Sequence, residues 1–148
     1  MPAALVTGTF NPPHMGHVKL IKAAIEKRDH VVVVVLAAPH DRLAANDRAR
    51  ALLQDCVAEG VAEAAMTIVH GYESTPYDPG NSAVAKSNAR VIEAHLRHTP
   101  PVDLLVTSEN NGDDFAKLLG LHHHSFDPDR TQVPVSSTQI REDLISNW

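Results

Sequence analysis

The sequence predicts an α/β fold, a single open, doubly wound parallel sheet with helices on both faces. Three observations predict it. "AALVTG" and "HVVVVVLAA" are continuous apolar runs rather than alternating ones, the pattern of strands covered on both sides. Stretches with apolar residues at i, i+3, i+4 and i+7 separate such runs, the spacing of a helix with one buried stripe. Strand and helix therefore alternate along the chain, the order that right-handed βαβ crossovers require.

Each element can be justified in turn. After the strand "AALVTG", Val18, Ile21 and Ile25, with Leu20 and Ala24 beside them, mark a helix starting near Pro13. "HVVVVVLAA" is the second strand. Asn46 can cap the next helix, whose apolar face is Ala49, Leu52, Leu53, Cys56 and Val57. "MTIVHG" is a short third strand, and "YESTPYDPGNS", rich in turn residues, is a loop. Ala85, Ala89, Ile92 and Leu96 mark a third helix. "VDLLVTS" is a strand, "DDFAKLLG" a short helix closed by Gly120, and "HHHSFD" a last strand. After "PDRTQVPV" the chain ends in a helix from about Ser136. The layout is Rossmann-like, and ligands of such sheets bind beyond the carboxyl ends of the strands, where the first strand meets its helix.

At 148 residues the chain can bury one sizeable core and is too short for two ordinary domains, so residues 1–148 are expected to form one. A net charge of −5 with thinly spread Lys and Arg leaves no basic stripe for a phosphate backbone, which excludes nucleic acid as the expected partner. Cys56, the single cysteine, falls on an apolar helical face and reads as a packed thiol in a reducing compartment. The first strand begins almost at Met1 and no apolar run reaches the length of a membrane span, so a cytoplasmic protein is expected, with no membrane partner. Homo-oligomerisation is left open.

The stretch "GTFNPPHMGHVKLI" lies at the first strand-to-helix junction. His14 and His17, three residues apart, share one side of the first helical turn, where unpaired N–H groups and the helix dipole favour phosphate. Gly8 and Gly16 permit close approach of a nucleotide to the backbone, and Pro12 and Pro13 fix φ where the chain turns into the helix. The plainer reading is a shaped turn with surface histidines. A zinc site usually needs three or four ligands, and no Cys or HExxH pattern completes one here. His122, His123 and His124 cannot converge on one ion, because neighbouring strand residues alternate faces; strand surface is the expectation for them. Neither Gly-x-Gly-x-x-Gly nor a Walker phosphate loop is present.

A second constellation is "VPVSSTQIRED". Ser136 with Gln139 fits a capping box, leaving Ser137 and Thr138 in the first turn and Arg141 on their side of the helix. Two hydroxyls, a helix N-terminus and a guanidinium fork would clamp a pyrophosphate. The alternative is a well-capped terminal helix with a solvated arginine.

"HMGH" and "SSTQIR" together resemble the paired signatures of the nucleotidylyltransferase superfamily, (H/T)-x-G-H and I-S-(S/A)-T-x-x-R. The run from Thr107 to Trp148 is most similar to the nicotinamide mononucleotide adenylyltransferase domain of the bacterial NAD-biosynthesis regulator family, through Ser108-Glu109, the Asp127-Pro128-Asp129-Arg130 turn and Trp148 after Arg141. Thr9 stands where that family usually has Lys, Asn111 where it often has an aromatic, and "YESTPYDPGNS" replaces its Trp-bearing segment. The resemblance implies transfer of the adenylyl group of ATP to the 5′-phosphate of nicotinamide mononucleotide, giving NAD and pyrophosphate, with Mg²⁺ carried on the triphosphate. Nicotinate mononucleotide or phosphopantetheine as acceptor, or a nucleotide-binding sensor without turnover, are the alternatives.

It further implies His14, His17 and Arg141 as catalytic residues, with Gly8, Thr9, Phe10, Gly16, Ser137 and Thr138 on ATP. Asn11, Tyr77, Ser108, Glu109 and Trp148 are implied on the mononucleotide side, and no metal ligand is implied on the protein. A cationic nicotinamide ring should stack on an aromatic face, for which Tyr77 and Trp148 are the candidates.

Overall fold

The computed structural model describes residues 2–38, 41, 43–72, 81–108 and 112–126. Among these residues five strands, β1 (Ala3–Gly8), β2 (Val31–Ala37), β3 (Met66–Tyr72), β4 (Val102–Thr107) and β5 (His122–Ser125), alternate with four α-helices, α1 (Met15–Lys27), α2 (Ala45–Ala58), α3 (Ser82–His95) and α4 (Gly112–Leu119). All strand pairs are parallel, in the order β3-β2-β1-β4-β5. The connections wind outward from β1 in both directions, so the topological switch lies between β1 and β4. This is the doubly wound sheet expected from the alternation of elements.

β2 explains why a continuous valine run is needed. Every residue from Val31 to Ala37 is buried, and successive side chains enter opposite cores. Val31, Val33 and Val35 pack with Val18, Ile21, Ala24, Leu52 and Cys56 of α1 and α2. Val32, Val34 and Leu36 pack with Ala85, Ala89, Ile92, Phe115 and Ala116 of α3 and α4. Each valine so covered contributes about 2 kcal/mol from apolar burial, which an alternating strand would forgo on one face.

Helix ends follow local chemistry. Gly60 (φ +92°) and Gly120 (φ +70°) turn the chain out of α2 and α4 in the left-handed region, and the bonds Val61 N–H to Cys56 C=O and Leu121 N–H to Ala116 C=O close a Schellman motif at each. α1 ends at Arg28, whose guanidinium grips Asp103 near the start of β4 through Nε (2.8 Å) and Nη2 (3.1 Å). That bond holds the Asp103 carboxyl below its ordinary pKa.

Some expectations need correction. α1 starts at Met15, two residues beyond Pro13, because His14 is itself the cap. Asn46 is exposed inside the first turn of α2, and Ala44 occupies the cap position without a side-chain bond. Val57 is 45% exposed, since it lies past the edge of the stripe that Leu52 and Cys56 bury. The histidines of β5 are not all strand surface: the His123 side chain is 9% exposed.

Candidate functional site

The switch point places the ends of β1 and β4 side by side, with the N-terminus of α1 above β1. His14 has extended backbone (φ −147°, ψ 176°), and its Nδ1 accepts from the Gly16 N–H at 3.0 Å. His17, at the third helical position, accepts the His14 N–H on its own Nδ1 at 3.1 Å. The pair forms a capping box in which imidazoles do what Ser and Glu commonly do. The rings stack with centroids 3.9 Å apart and planes 28° from parallel. Two acceptor roles for Nδ1 leave Nε2 of each neutral ring as its N–H donor. The sequence expectation of two imidazoles on one side of the first turn holds, but the cause is reciprocal capping rather than parallel projection from a helix already begun.

The turn after β1 is packed from below. Phe10 is buried at φ +48°, and its ring meets His17 edge-on at a centroid distance of 4.6 Å. Gly8 faces the same ring: a Cβ there would sit 3.4 Å from Phe10 Cε2. Thr9 and Asn11 flank Phe10 on the turn, half-buried.

Arg48, which sequence reasoning passed over, organises this turn. Its side chain is fully buried and donates to Leu43 C=O (2.8 Å), Thr9 C=O (2.9 Å) and Asp41 Oδ2 (2.7 Å). Asp41 Oδ2 also accepts the Ala38 N–H at 2.9 Å. One guanidinium thus ties the turn after β1 to the turn after β2, and the Thr9 carbonyl is committed to it. The signal was an arginine on the buried stripe of α2, four residues before Leu52, with an aspartate seven residues upstream to receive it.

At the end of β4, Ser108 is a half-buried bend residue next to Thr107. Thr107 Oγ1 lies 2.7 Å from His123 Nε2, and His123 Nδ1 lies 2.6 Å from Asp113 Oδ1 in the first turn of α4. His124, next on β5, has its pKa lowered by burial first and then by the nearby Lys27.

The structure brings Gly8, Thr9, Phe10, Asn11, His14, Gly16 and His17 to one strand-to-helix junction, with Ser108 at the end of the next strand in the sheet. Tyr77, Glu109, Ser137, Thr138, Arg141 and Trp148 lie outside the described residues, as do Asp127–Arg130 and the stretch expected to form a last helix. Among the described residues no group of three or more His, Cys, Asp and Glu could hold a metal ion. No helix among them is long and apolar enough to cross a membrane. Cys56 is buried, and burial beside Asp55 pushes its thiol up to about 11, as befits a packed thiol.

Among solved structures the chain is similar to NadR protein in complex with NAD and AMP-PNP, at 22% identity and a TM-score of 0.58, covering 99% of this chain and 43% of that one. A second NadR structure, in complex with NR, aligns at 22% identity and a TM-score of 0.57, covering 95% and 41%. A bifunctional NMN adenylyltransferase/ADP ribose pyrophosphatase from Francisella tularensis, complexed with AMP and a Mn ion, aligns at 15% identity and a TM-score of 0.61, covering 86% and 37%. At these identities the likeness is one of fold, and the chain spans less than half the length of each. No curated protein matches it by sequence. The cytidylyltransferase-like family model matches residues 5–143, a span that begins in β1 and takes in both signature stretches, and the chain therefore belongs to the cytidylyltransferase-like family within the nucleotidylyltransferase superfamily.

Proposed function

We propose that the protein transfers the adenylyl group of ATP to the 5′-phosphate of a mononucleotide, with nicotinamide mononucleotide as the preferred acceptor. The observation that carries this reading is the capped histidine pair: two stacked imidazoles, each accepting a backbone N–H on its Nδ1, at the positive end of α1. An acceptor phosphate oxygen attacks the α-phosphorus, the bond to the β-phosphate oxygen breaks, and pyrophosphate leaves. Such transfer asks the protein for in-line positioning and for donors to the charge growing on phosphate oxygens, with no protein nucleophile.

His14 and His17 serve the α- and β-phosphates. Thr138 and Arg141 serve the β- and γ-phosphates, Ser137 adds a hydroxyl, and backbone around Gly8, Thr9, Phe10 and Gly16 lines the path. Asn11, Ser108, Glu109, Tyr77 and Trp148 stand on the acceptor side. Mg²⁺ would arrive with the triphosphate and screen its charge. The chemistry of the neighbours supports this assignment: they hold NAD with AMP-PNP, NR, or AMP with a Mn ion. No lysine or arginine lies between Tyr72 and Asn81, which favours a neutral carboxamide over a carboxylate on the pyridine ring.

The test is pyrophosphate release with ATP and each candidate acceptor. Release with nicotinamide mononucleotide supports the reading. Release only with phosphopantetheine contradicts the acceptor class, and nucleotide binding without any release marks a sensor.

A further inference from the structure

One imidazole joins both ends of the connection from β4 to α4. His123 Nε2 meets Thr107 Oγ1 at 2.7 Å, at the last residue of β4, and His123 Nδ1 meets Asp113 Oδ1 at 2.6 Å, at the second residue of α4. Ser108 follows Thr107 directly. The two bonds differ in setting: the His123 side chain is 9% exposed and Asp113 76%, so the bond to Thr107 is the shielded one. A carboxylate only accepts, which assigns the Nδ1 proton to that bond; in the neutral ring Nε2 then accepts the Thr107 hydroxyl and fixes that hydroxyl's direction.

The surroundings are cut to fit this arrangement. A Cβ on Gly112 would overlap His123 Nε2 and come within 2.5 Å of Thr107 Oγ1, so α4 opens with a residue that leaves the ring its space. An aliphatic side chain at position 123 would reach the apolar core of Leu105, Phe115 and Ala116 and stabilise the fold with no polar atoms to satisfy. A histidine held at both nitrogens supplies direction instead.

We propose that His123 is a positioning residue for the acceptor side of the site: by clamping Thr107 it holds the neighbouring Ser108 in the orientation that the mononucleotide meets. This rests on the adenylyltransferase reading. The crevice at the switch point is then framed by imidazoles on both sides, the His14–His17 pair on the ATP side and His123 behind the acceptor side. A polar residue at a strand end binds well only if its backbone and rotamer are held before the ligand arrives, and the clamp meets that cost in the folded protein.

The experiment compares wild type with His123→Ala, His123→Gln, His123→Asn and Gly112→Ala, measuring kcat, KM for ATP and KM for nicotinamide mononucleotide, with a thermal melt of each. Glutamine can place a polar atom where Nε2 stood, and asparagine where Nδ1 stood. His123→Ala and Gly112→Ala are expected to raise KM for the mononucleotide about tenfold while leaving KM for ATP within about twofold, since only the acceptor side is loosened. His123→Gln should restore most of the loss and His123→Asn little of it. If His123→Ala does not fold, Gly112→Ala and the Gln/Asn pair carry the test. A mononucleotide KM unchanged in the folded variants overturns the proposal, as does an equal loss for both substrates that glutamine does not rescue. Wild type that releases no pyrophosphate overturns the adenylyltransferase reading and this inference with it; active wild type with normal variants overturns the inference alone.

Discussion

Histidine at a helix cap is an uncommon choice, and His14 and His17 show what it gains. Serine and glutamate would close the same box, but the glutamate carboxylate would repel phosphate, whereas a capped imidazole keeps an N–H donor on its far side. His17→Ala is expected to lower kcat about a hundredfold or more, because a donor to a charged transition state is commonly worth ~3 kcal/mol. The same variant loses half the box, so its melting temperature should fall slightly, by an amount matching about 1 kcal/mol or less. Steady-state kinetics beside a melt separate the two effects. Near-normal turnover would remove His17 from the chemistry. At Arg48 the balance is reversed, with stability first. Asp41→Ala leaves the fully buried guanidinium without its countercharge and is expected to cost about 3 kcal/mol, read by urea unfolding. A cost under about 1 kcal/mol would show the two turns to be held by other contacts.

At the scale of elements, the sequence was legible wherever period and punctuation agreed. The unbroken valines of β2 announced a strand buried on both faces, the stripe of α1 was visible in Val18, Ile21 and Ala24, and Gly120 closed α4 as expected. Starts were less legible than stops. Asn46 looks like a cap, yet packing of Ala45 and Arg48 into the core draws the start of α2 back to Ala45. The pairing of His14 with His17 was legible because its spacing is local. Arg48 and His123 were not, because each takes its meaning from partners brought in by the sheet: Thr9 across 39 residues, and Thr107 across 16. Alternation of side chains on β5 did imply that His123 faces away from His122 and His124, but only the position of α4 shows what it faces.

The pairing of Arg28 with Asp103 also belongs to this scale, since it ties the end of α1 to β4. The Asp103 carboxyl is held below its ordinary value of 3.8 by the Arg28 bond. The unfolded chain therefore takes up this proton at higher pH than the folded one, and the contribution is complete above 3.8 and is lost as pH falls through the lower folded value. Asp103→Asn should flatten this part of the acid limb of an unfolding-versus-pH curve and lower the neutral-pH plateau slightly, since the contribution it removes is complete there. An acid limb identical to wild type would assign the acid sensitivity to other carboxylates.

At the scale of the whole molecule, the parallel sheet of the described residues, with its switch between β1 and β4, sets the capped histidine pair and the clamped end of β4 beyond the carboxyl ends of neighbouring strands. A metal carried by the substrate rather than caged by the protein implies that activity is abolished by excess chelator and returns at once with Mg²⁺ in the ATP stock, with no slow reloading phase. Activity that persists after dialysis against chelator with no Mg²⁺ added to the assay would point to a resident ion. The reaction itself is tested most directly with ATP labelled at its α-phosphate, incubated with Mg²⁺ and nicotinamide mononucleotide, the products being separated and weighed by mass. The expected result is label in a dinucleotide with the mass of NAD and an equal amount of unlabelled pyrophosphate. Label remaining in ATP, or appearing in free AMP with no dinucleotide formed, would contradict adenylyl transfer to a mononucleotide.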